Sequence, residues 1–383
     1  MSVTRPSPLR LLLALMVGLL AAWPPAHGAG RDLKPASDSQ IVESLGPRVR
    51  TRAATPEAAA TAARQAITQA RELADPRYLG RAQAALAPWW DQPDAPPALA
   101  VLQATVQQSR HEFAAARTTL TRALKRDPAQ AQGWLTLATL ERLSGRYADA
   151  LAACGQVARA GAPLYAAACQ LETRSLQGQQ DEARRGLEAL RRQAPDAATQ
   201  SWLLSLQGEN EERAGHDPAA LAAYRASLAL GRDGYTALAA ADLLLRTGQP
   251  AAALQLLARE PASDAVMLRR AHALKLQGDP AWRAMASELR ERFMALDARG
   301  DDPATHARER ALGALWLEND PRRALMAAQL NLGLQKEPLD WWLALHSADL
   351  AGRTAELAAL RADLAQTGLR DARLAAWQGG SKP

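Results

Sequence analysis

The stretch Ala131–Leu164, AQGWLTLATLERLSGRYADALAACGQVARAGAPL, decides the fold. Trp134 and Leu137 fall on one helical face, Gly145 interrupts, Tyr147, Ala150 and Cys154 return on a second apolar face, and Pro163 closes the stretch. Residues three and four apart share a helix face, and glycine enters the left-handed backbone region without the penalty of a Cβ, so the pattern reads as helix, tight turn, helix. Each residue has an expected task. Trp134 and Leu137 fill the space between the two helices, Gly145 makes the turn, Tyr147 packs back across it, Ala150 lets the helices approach, and Pro163 ends the second helix.

The pattern repeats outward in both directions. Gly145 is followed by Gly178, Gly215, Gly248, Gly278, Asn319 and Gly352, at steps of 33, 37, 33, 30, 41 and 33 residues. Towards the N-terminus, Ala82, Ala116 and Ala150 are spaced by 34, and so are Leu86, Leu120 and Cys154; two parallel series fix the register. A period in the low thirties, with a turn residue between Ala/Leu-rich amphipathic stretches, is what stacked helix–turn–helix units produce. Ala and Leu dominate the apolar half of the chain, which favours helix over strand.

The unit Ala131–Leu164 resembles the tetratricopeptide repeat, in which Trp, Leu and Gly precede Tyr, a small residue, a bulky residue and a closing Pro. Other units keep part of the pattern: His111-Glu112-Phe113 with Ala116, Leu120, Ala123 and Pro128; Gly178 with Ala183, Leu187, Leu190 and Pro195; Gly208 and Gly215 with Ala220 and Tyr224; Gly248 with Ala253 and Leu257. Pro218, Pro250, Pro280 and Pro321 follow their turns, near the first helical position where a missing N–H is harmless. The resemblance implies an all-α, right-handed solenoid of about nine units covering some four-fifths of the chain. Arg299-Gly300-Asp301-Asp302-Pro303 should form a loop, with a kink or change of pitch near 297–304. The last two units, with Trp316 and Trp341-Trp342, are the least regular and either cap the array or hold a partner.

Residues 1–28 read as an export signal: Arg5 and Arg10 give the basic start, Leu11 to Trp23 the apolar run, and Ala26-His27-Gly28 a small-x-small cleavage site. The mature chain would begin near Ala29 and be periplasmic or secreted in a bacterium; an uncleaved anchor is the alternative. The run is short of the roughly 20 residues that span a bilayer, so no membrane span is expected after cleavage, and the first cysteine is Cys154, which excludes a lipid-modified N-terminal cysteine. Residues 29–54, with Pro35 and Pro47, read as a low-order linker, 55–371 as the solenoid, opened by Thr55 as a cap before Pro56, and 372–383 as a C-terminal tail.

The formal net charge is +6, but Arg and Glu alternate along most helices, as in Arg184-Arg185-Gly186-Leu187-Glu188, and no basic stripe forms, which argues against nucleic acid as a partner. The six histidines lie at no metal-ligand spacing, there is no phosphate loop, nucleophile elbow or Cys-x-x-Cys, and the carboxylate pairs Glu211-Glu212 and Asp301-Asp302 are adjacent and expected to be exposed. We therefore expect neither an enzyme nor a cofactor. Cys154 and Cys169 sit at similar distances from the connection around Pro163 and either pair in a disulfide or pack as two small apolar residues.

Tetratricopeptide arrays hold peptides on a concave face lined by the first helices. That resemblance points Arg142, Glu172, Glu209, Glu212, Arg213, Asp242, Arg246, His272 and Lys275 towards such a groove. The signs are mixed, and the Lys/Asn set that clamps a terminal carboxylate in some members is missing. The expectation is an exported, non-catalytic scaffold or assembly adaptor that holds a protein or peptide; the alternative is a structural spacer docking to cell-wall or outer-membrane components.

Overall fold

The structure is a computed structural model that describes residues 55–72 and 75–378; the expected signal at 1–28 and linker at 29–54 lie outside them. Every described regular element is helical. The helices pair as α1 (Pro56–Glu72) with α2 (Arg77–Leu86), α3 (Pro97–Ser109) with α4 (Phe113–Arg126), α5 (Ala131–Leu143) with α6 (Tyr147–Arg159), and α7 (Pro163–Leu176) with α8 (Gln180–Arg191). The series continues with α9 (Ala197–Arg213) and α10 (Asp217–Leu230), α11 (Gly234–Arg246) and α12 (Pro250–Leu257), α13 (Asp264–Leu276) and α14 (Trp282–Arg299), α15 (Ala307–Gly313) and α16 (Pro321–Leu334), and α17 (Pro338–Leu350) and α18 (Thr354–Thr367). First helices pack on the first helices of adjoining units from α1 through α9 and from α11 through α17, and the two runs meet where Ser205 Oγ lies 2.8 Å from Thr236 Oγ1, so the first helices form an inner layer. The chain is an all-α solenoid of helix pairs.

The small-residue series explains the stacking. Ala82, Ala116, Ala150, Ala183, Ala220 and Ala253, one in each of the second helices α2 to α12, are all fully buried, and Leu86, Leu120, Cys154, Leu187, Tyr224 and Leu257, one turn further on, are buried with them. Alanine lets two backbones approach while the bulky neighbour fills the adjoining gap; each large side chain so buried contributes about 1.5–3 kcal/mol. The turn series holds as well, with φ between 65° and 94° at Gly145, Gly178, Gly215, Gly248, Gly278 and Gly352. Two non-glycine residues fill the same slot: Asn319 at φ 54°, and His111 at φ 60°, 34 residues before Gly145. His111 is held there by its ring, which meets Phe113 edge-on at 5.5 Å.

Pro163 corrects the sequence reading. The second helix already stops at Arg159, Gly161 takes φ 85°, and Pro163 opens α7, where its fixed φ suits a first helical residue. On either side of it, Cys154 and Cys169 are joined in a disulfide with their Cα atoms 5.6 Å apart, linking the third unit to the fourth. The stretch around 297–304 is irregular: Gly300 ends α14 at φ 77°, Pro303–His306 form a short 3-10 turn capped by Asp302, and Ala314–Glu318 form one turn of wider helix whose end is tied by Asp320 N–H donating to Ala314 O at 2.9 Å.

The array bends back on itself. Lys336 N–H donates to Leu143 O at 2.7 Å and Arg370 N–H to Leu176 O at 2.8 Å, so two backbone donors from the C-terminal units satisfy carbonyls at the ends of α5 and α7. One core cluster accordingly runs from Tyr147 and Leu176 to Leu268, Leu312, Trp341, Leu369 and Leu374. Residues from 372 onward are thus no free tail as far as Gln378: Leu374 is fully buried, Trp377 packs on the same cluster, and Gln378 Nε2 donates to Leu369 O at 2.7 Å. Among the described residues no helix is long and apolar enough to cross a membrane.

Candidate partner-binding surface

The inner layer carries its side chains at fixed offsets from each turn. Glu172, Glu209 and Asp242 stand six residues before Gly178, Gly215 and Gly248, on α7, α9 and α11. Each is held by an arginine: Arg142 Nη2 lies 2.9 Å from Glu172 Oε2, Arg213 Nη2 2.5 Å from Glu209 Oε2, and Arg269 Nη2 2.7 Å from Asp242 Oδ2. Arg142 also reaches Cys169 Sγ at 3.6 Å, and Arg213 donates to Ser175 Oγ at 3.2 Å, tying both arginines to the scaffold.

Glu212 belongs elsewhere. It accepts from Tyr224 Oη at 3.0 Å, from Arg246 Nη2 at 3.3 Å and from Arg373 Nη1 at 3.0 Å, and is only 6% exposed. Arg246 is further bound by Asp217 at 2.7 Å, and Arg373 by the fully buried carboxylate of Asp371 at 2.7 Å. Glu212 is therefore a latch that joins the fifth unit to the C-terminal segment. Glu211 beside it is also buried and binds Arg184 Nε at 2.6 Å and His216 Nδ1 at 3.0 Å; the expectation that this carboxylate pair is exposed fails because both acids cross-link neighbouring helices. His272 and Lys275, on α13, serve the wide helical turn of the next unit. The His272 ring stacks on Trp316 at 4.5 Å, and burial, with Lys275 nearby, takes it down to about 4, leaving a neutral ring suited to stacking. Lys275 Nζ donates to Trp316 O, Leu317 O and Asn319 Oδ1 at 2.8–3.1 Å, satisfying carbonyls that the wide turn frees.

Of the nine residues expected in a groove, the structure gathers Arg142, Glu172, Glu209 and Arg213 into one neighbourhood and sets Asp242 against Arg269. Glu212, Arg246, His272 and Lys275 are engaged in joining units. Within the neighbourhood, burial and the nearby carboxylates of Glu172 and Glu337 raise Glu209 to about 7 against the pull of Arg213. Glu337, at the start of α17, is itself bound to Arg308 at 2.5 Å and contributes to this field from the C-terminal side of the bend.

Three aromatic residues missed in the sequence complete the surface. Tyr165, Trp202 and Tyr235 stand thirteen residues before Gly178, Gly215 and Gly248, at the same register of three successive first helices. The Tyr165 and Trp202 rings lie 5.5 Å apart, tilted by 33°, and Tyr165 Oη is 3.4 Å from Thr199 Oγ1. Tyr165 is 37% and Tyr235 56% exposed. Glu209 above all, then burial, raises the Tyr235 phenol well above its ordinary range. The constant offset from the turn glycine was the signal available in the sequence. Among the described residues no group of histidine, cysteine and carboxylate side chains is arranged to hold a metal ion.

The class of protein this geometry defines is a solenoid of tetratricopeptide-like helix pairs with a bent-back C-terminal segment. No family model and no curated protein sequence matches the chain. Among solved structures it is similar to a tetratricopeptide repeat protein from Parabacteroides merdae at 13% identity, covering 65% of this chain and 97% of that one with a TM-score of 0.38. It is also similar to a Rap protein complexed with Competence and Sporulation Factor (11% identity, 85% and 88% covered, TM-score 0.47). A third likeness is to the APC/C hetero-tetramer Cut9-Hcn1 (14% identity, 76% and 56% covered, TM-score 0.43). These overlaps are partial, and the fold rests on the chain's own helix pairing and register.

Proposed function

We propose that this chain is an exported, non-catalytic scaffold or assembly adaptor of the bacterial envelope that holds a protein or peptide partner on its inner layer. One observation carries the reading: successive first helices present side chains at a constant register, and within that layer Tyr165 and Tyr235 stay exposed while the neighbouring charges are paired. Large aromatic side chains left open on an otherwise self-satisfied surface are what binding sites retain, since they bury much area at little entropic cost. The disulfide between Cys154 and Cys169 supports an oxidising destination, in keeping with the reading of residues 1–28 as a cleaved signal.

The test is crosslinking in the living source cell followed by affinity capture of the tagged chain, alongside the Tyr165→Ser/Tyr235→Ser variant and N-terminal sequencing of the captured protein. The reading expects a mature end near Ala29 and a crosslinked protein that disappears in the variant. A partner retained by the variant would remove the inner layer from the account and favour the spacer.

A further inference from the structure

We infer that the turns Leu276–Gly278 and Leu350–Gly352 dock an extended segment of a partner protein in which a leucine is followed, within two residues, by an arginine or lysine and then an acid. The molecule itself shows what such a turn accepts, because it fills equivalent turns with this chemistry. The helices α5, α7, α13 and α17 all end on a leucine two residues before a left-handed glycine. A carbonyl in the last turn of a helix has no partner inside that helix, so each of these leucines offers a C=O to an outside donor.

Two of the four are covered by the chain. Lys336 N–H donates to Leu143 O and Arg370 N–H to Leu176 O. Each time the stem of the basic side chain lies over the turn glycine: a Cβ on Gly145 would stand 3.6 Å from Lys336 Cδ, and one on Gly178 3.2 Å from Arg370 Cγ. A leucine just ahead of the basic residue joins the leucine below, Leu334 and Leu143 packing on one core cluster and Leu369 and Leu176 within another. An acid follows in both segments, Glu337 and Asp371, and the backbone is extended at Gln335 in one and at Asp371 in the other. The unit that turns at Asn319 satisfies the same carbonyl with a basic side chain, Lys275 Nζ donating to Leu317 O at 3.1 Å. Leu276 and Leu350 are the open cases. They are 51% and 57% exposed, their carbonyls accept from no donor among the described residues, and none of those residues comes within 4 Å of a Cβ on Gly278 or Gly352. A segment seated like those of Lys336 and Arg370 would bury the leucine and satisfy its carbonyl together. Both turns lie at the opposite helix ends from the register of Tyr165 and Tyr235, so this site is separate from the one proposed on the inner layer.

The probe is the fluorescein-labelled dodecapeptide Thr-Gly-Leu-Arg-Asp-Ala-Arg-Leu-Ala-Ala-Trp-Gln, the chain's own residues 367–378, titrated by fluorescence anisotropy into the full disulfide-bonded chain. A second peptide carries an N-methyl group on the amide of the arginine that follows the first leucine, which removes that donor alone. The parent peptide should bind at least about tenfold more tightly than the methylated one, and Leu276→Ser/Leu350→Ser should weaken it by about tenfold. Both leucines are more than half exposed, so the double variant keeps its packing, which a melting curve checks. Unchanged binding to the double variant would mean exchange with the chain's own segment at Leu176 and overturns the inference. Equal binding of the two peptides, or no binding of either up to about 1 mM, overturns it too. A dimer in sedimentation velocity that the double variant abolishes would give these turns to a second copy of the chain and would likewise overturn it.

Discussion

Gly208 lies six residues after Trp202 on α9, and a Cβ there would come within 2.4 Å of the Tyr224 ring, which is fully buried and bonded to Glu212. Gly208→Ala should therefore cost about 1–3 kcal/mol, the usual range for overpacking, read as a lower urea midpoint at unchanged slope. Glu209 makes a prediction in pH. Its folded value of about 7 stands above the ordinary 4.5, so the folded chain binds this proton more tightly than the unfolded chain. Its contribution is fully present below the lower value and is lost as pH rises through the higher one. Glu209→Gln keeps a hydrogen-bonding group without the charge, and the melting temperature of the variant minus that of the natural chain should grow between about pH 5 and pH 8. A difference that stays flat would mean that Arg213 compensates the carboxylate in full.

At the scale of the element, much was legible because helix pairs obey local rules. The Ala82–Ala116–Ala150 and Leu86–Leu120–Cys154 series named buried positions, since alanine and leucine four apart on a second helix have one packing solution. The turn glycines marked six left-handed positions, but His111 escaped notice because a histidine in that conformation depends on a ring contact no pattern records. Tyr165, Trp202 and Tyr235 were hidden for another reason: their common offset is visible only after the register is known, and a groove assignment weighted towards charge passes over them. The disulfide between α6 and α7 closes a loop of 15 residues. Replacing both cysteines by alanine should lower stability by about 3 kcal/mol, measured by denaturation of the oxidised natural chain beside the variant. An unchanged midpoint would mean that the packing of Ala138, Cys154 and Cys169 holds this junction without the bond.

At the scale of the whole described array, the bend was beyond the sequence, because nothing in a periodic pattern says that units far apart along the chain meet. The structure puts Lys336 on the end of α5, Arg370 on the end of α7 and Arg373 on the end of α9, with Leu369 and Leu374 buried beneath. Arg373→Ala should raise amide hydrogen exchange in residues 369–378 and at the C-terminal ends of α7 and α9 while leaving α1 to α4 unchanged; uniform exchange would deny the segment its role as a tie between units. The same architecture separates two faces. Tyr235 lies on a first helix, whereas Met326, 73% exposed, lies on a second helix. The most direct measurement replaces each in turn by a photoreactive amino acid and irradiates the living source cell. The account predicts a discrete protein adduct from position 235 and none from 326; an adduct from 326 with none from 235 would contradict it and make the chain a spacer that docks by its outer face.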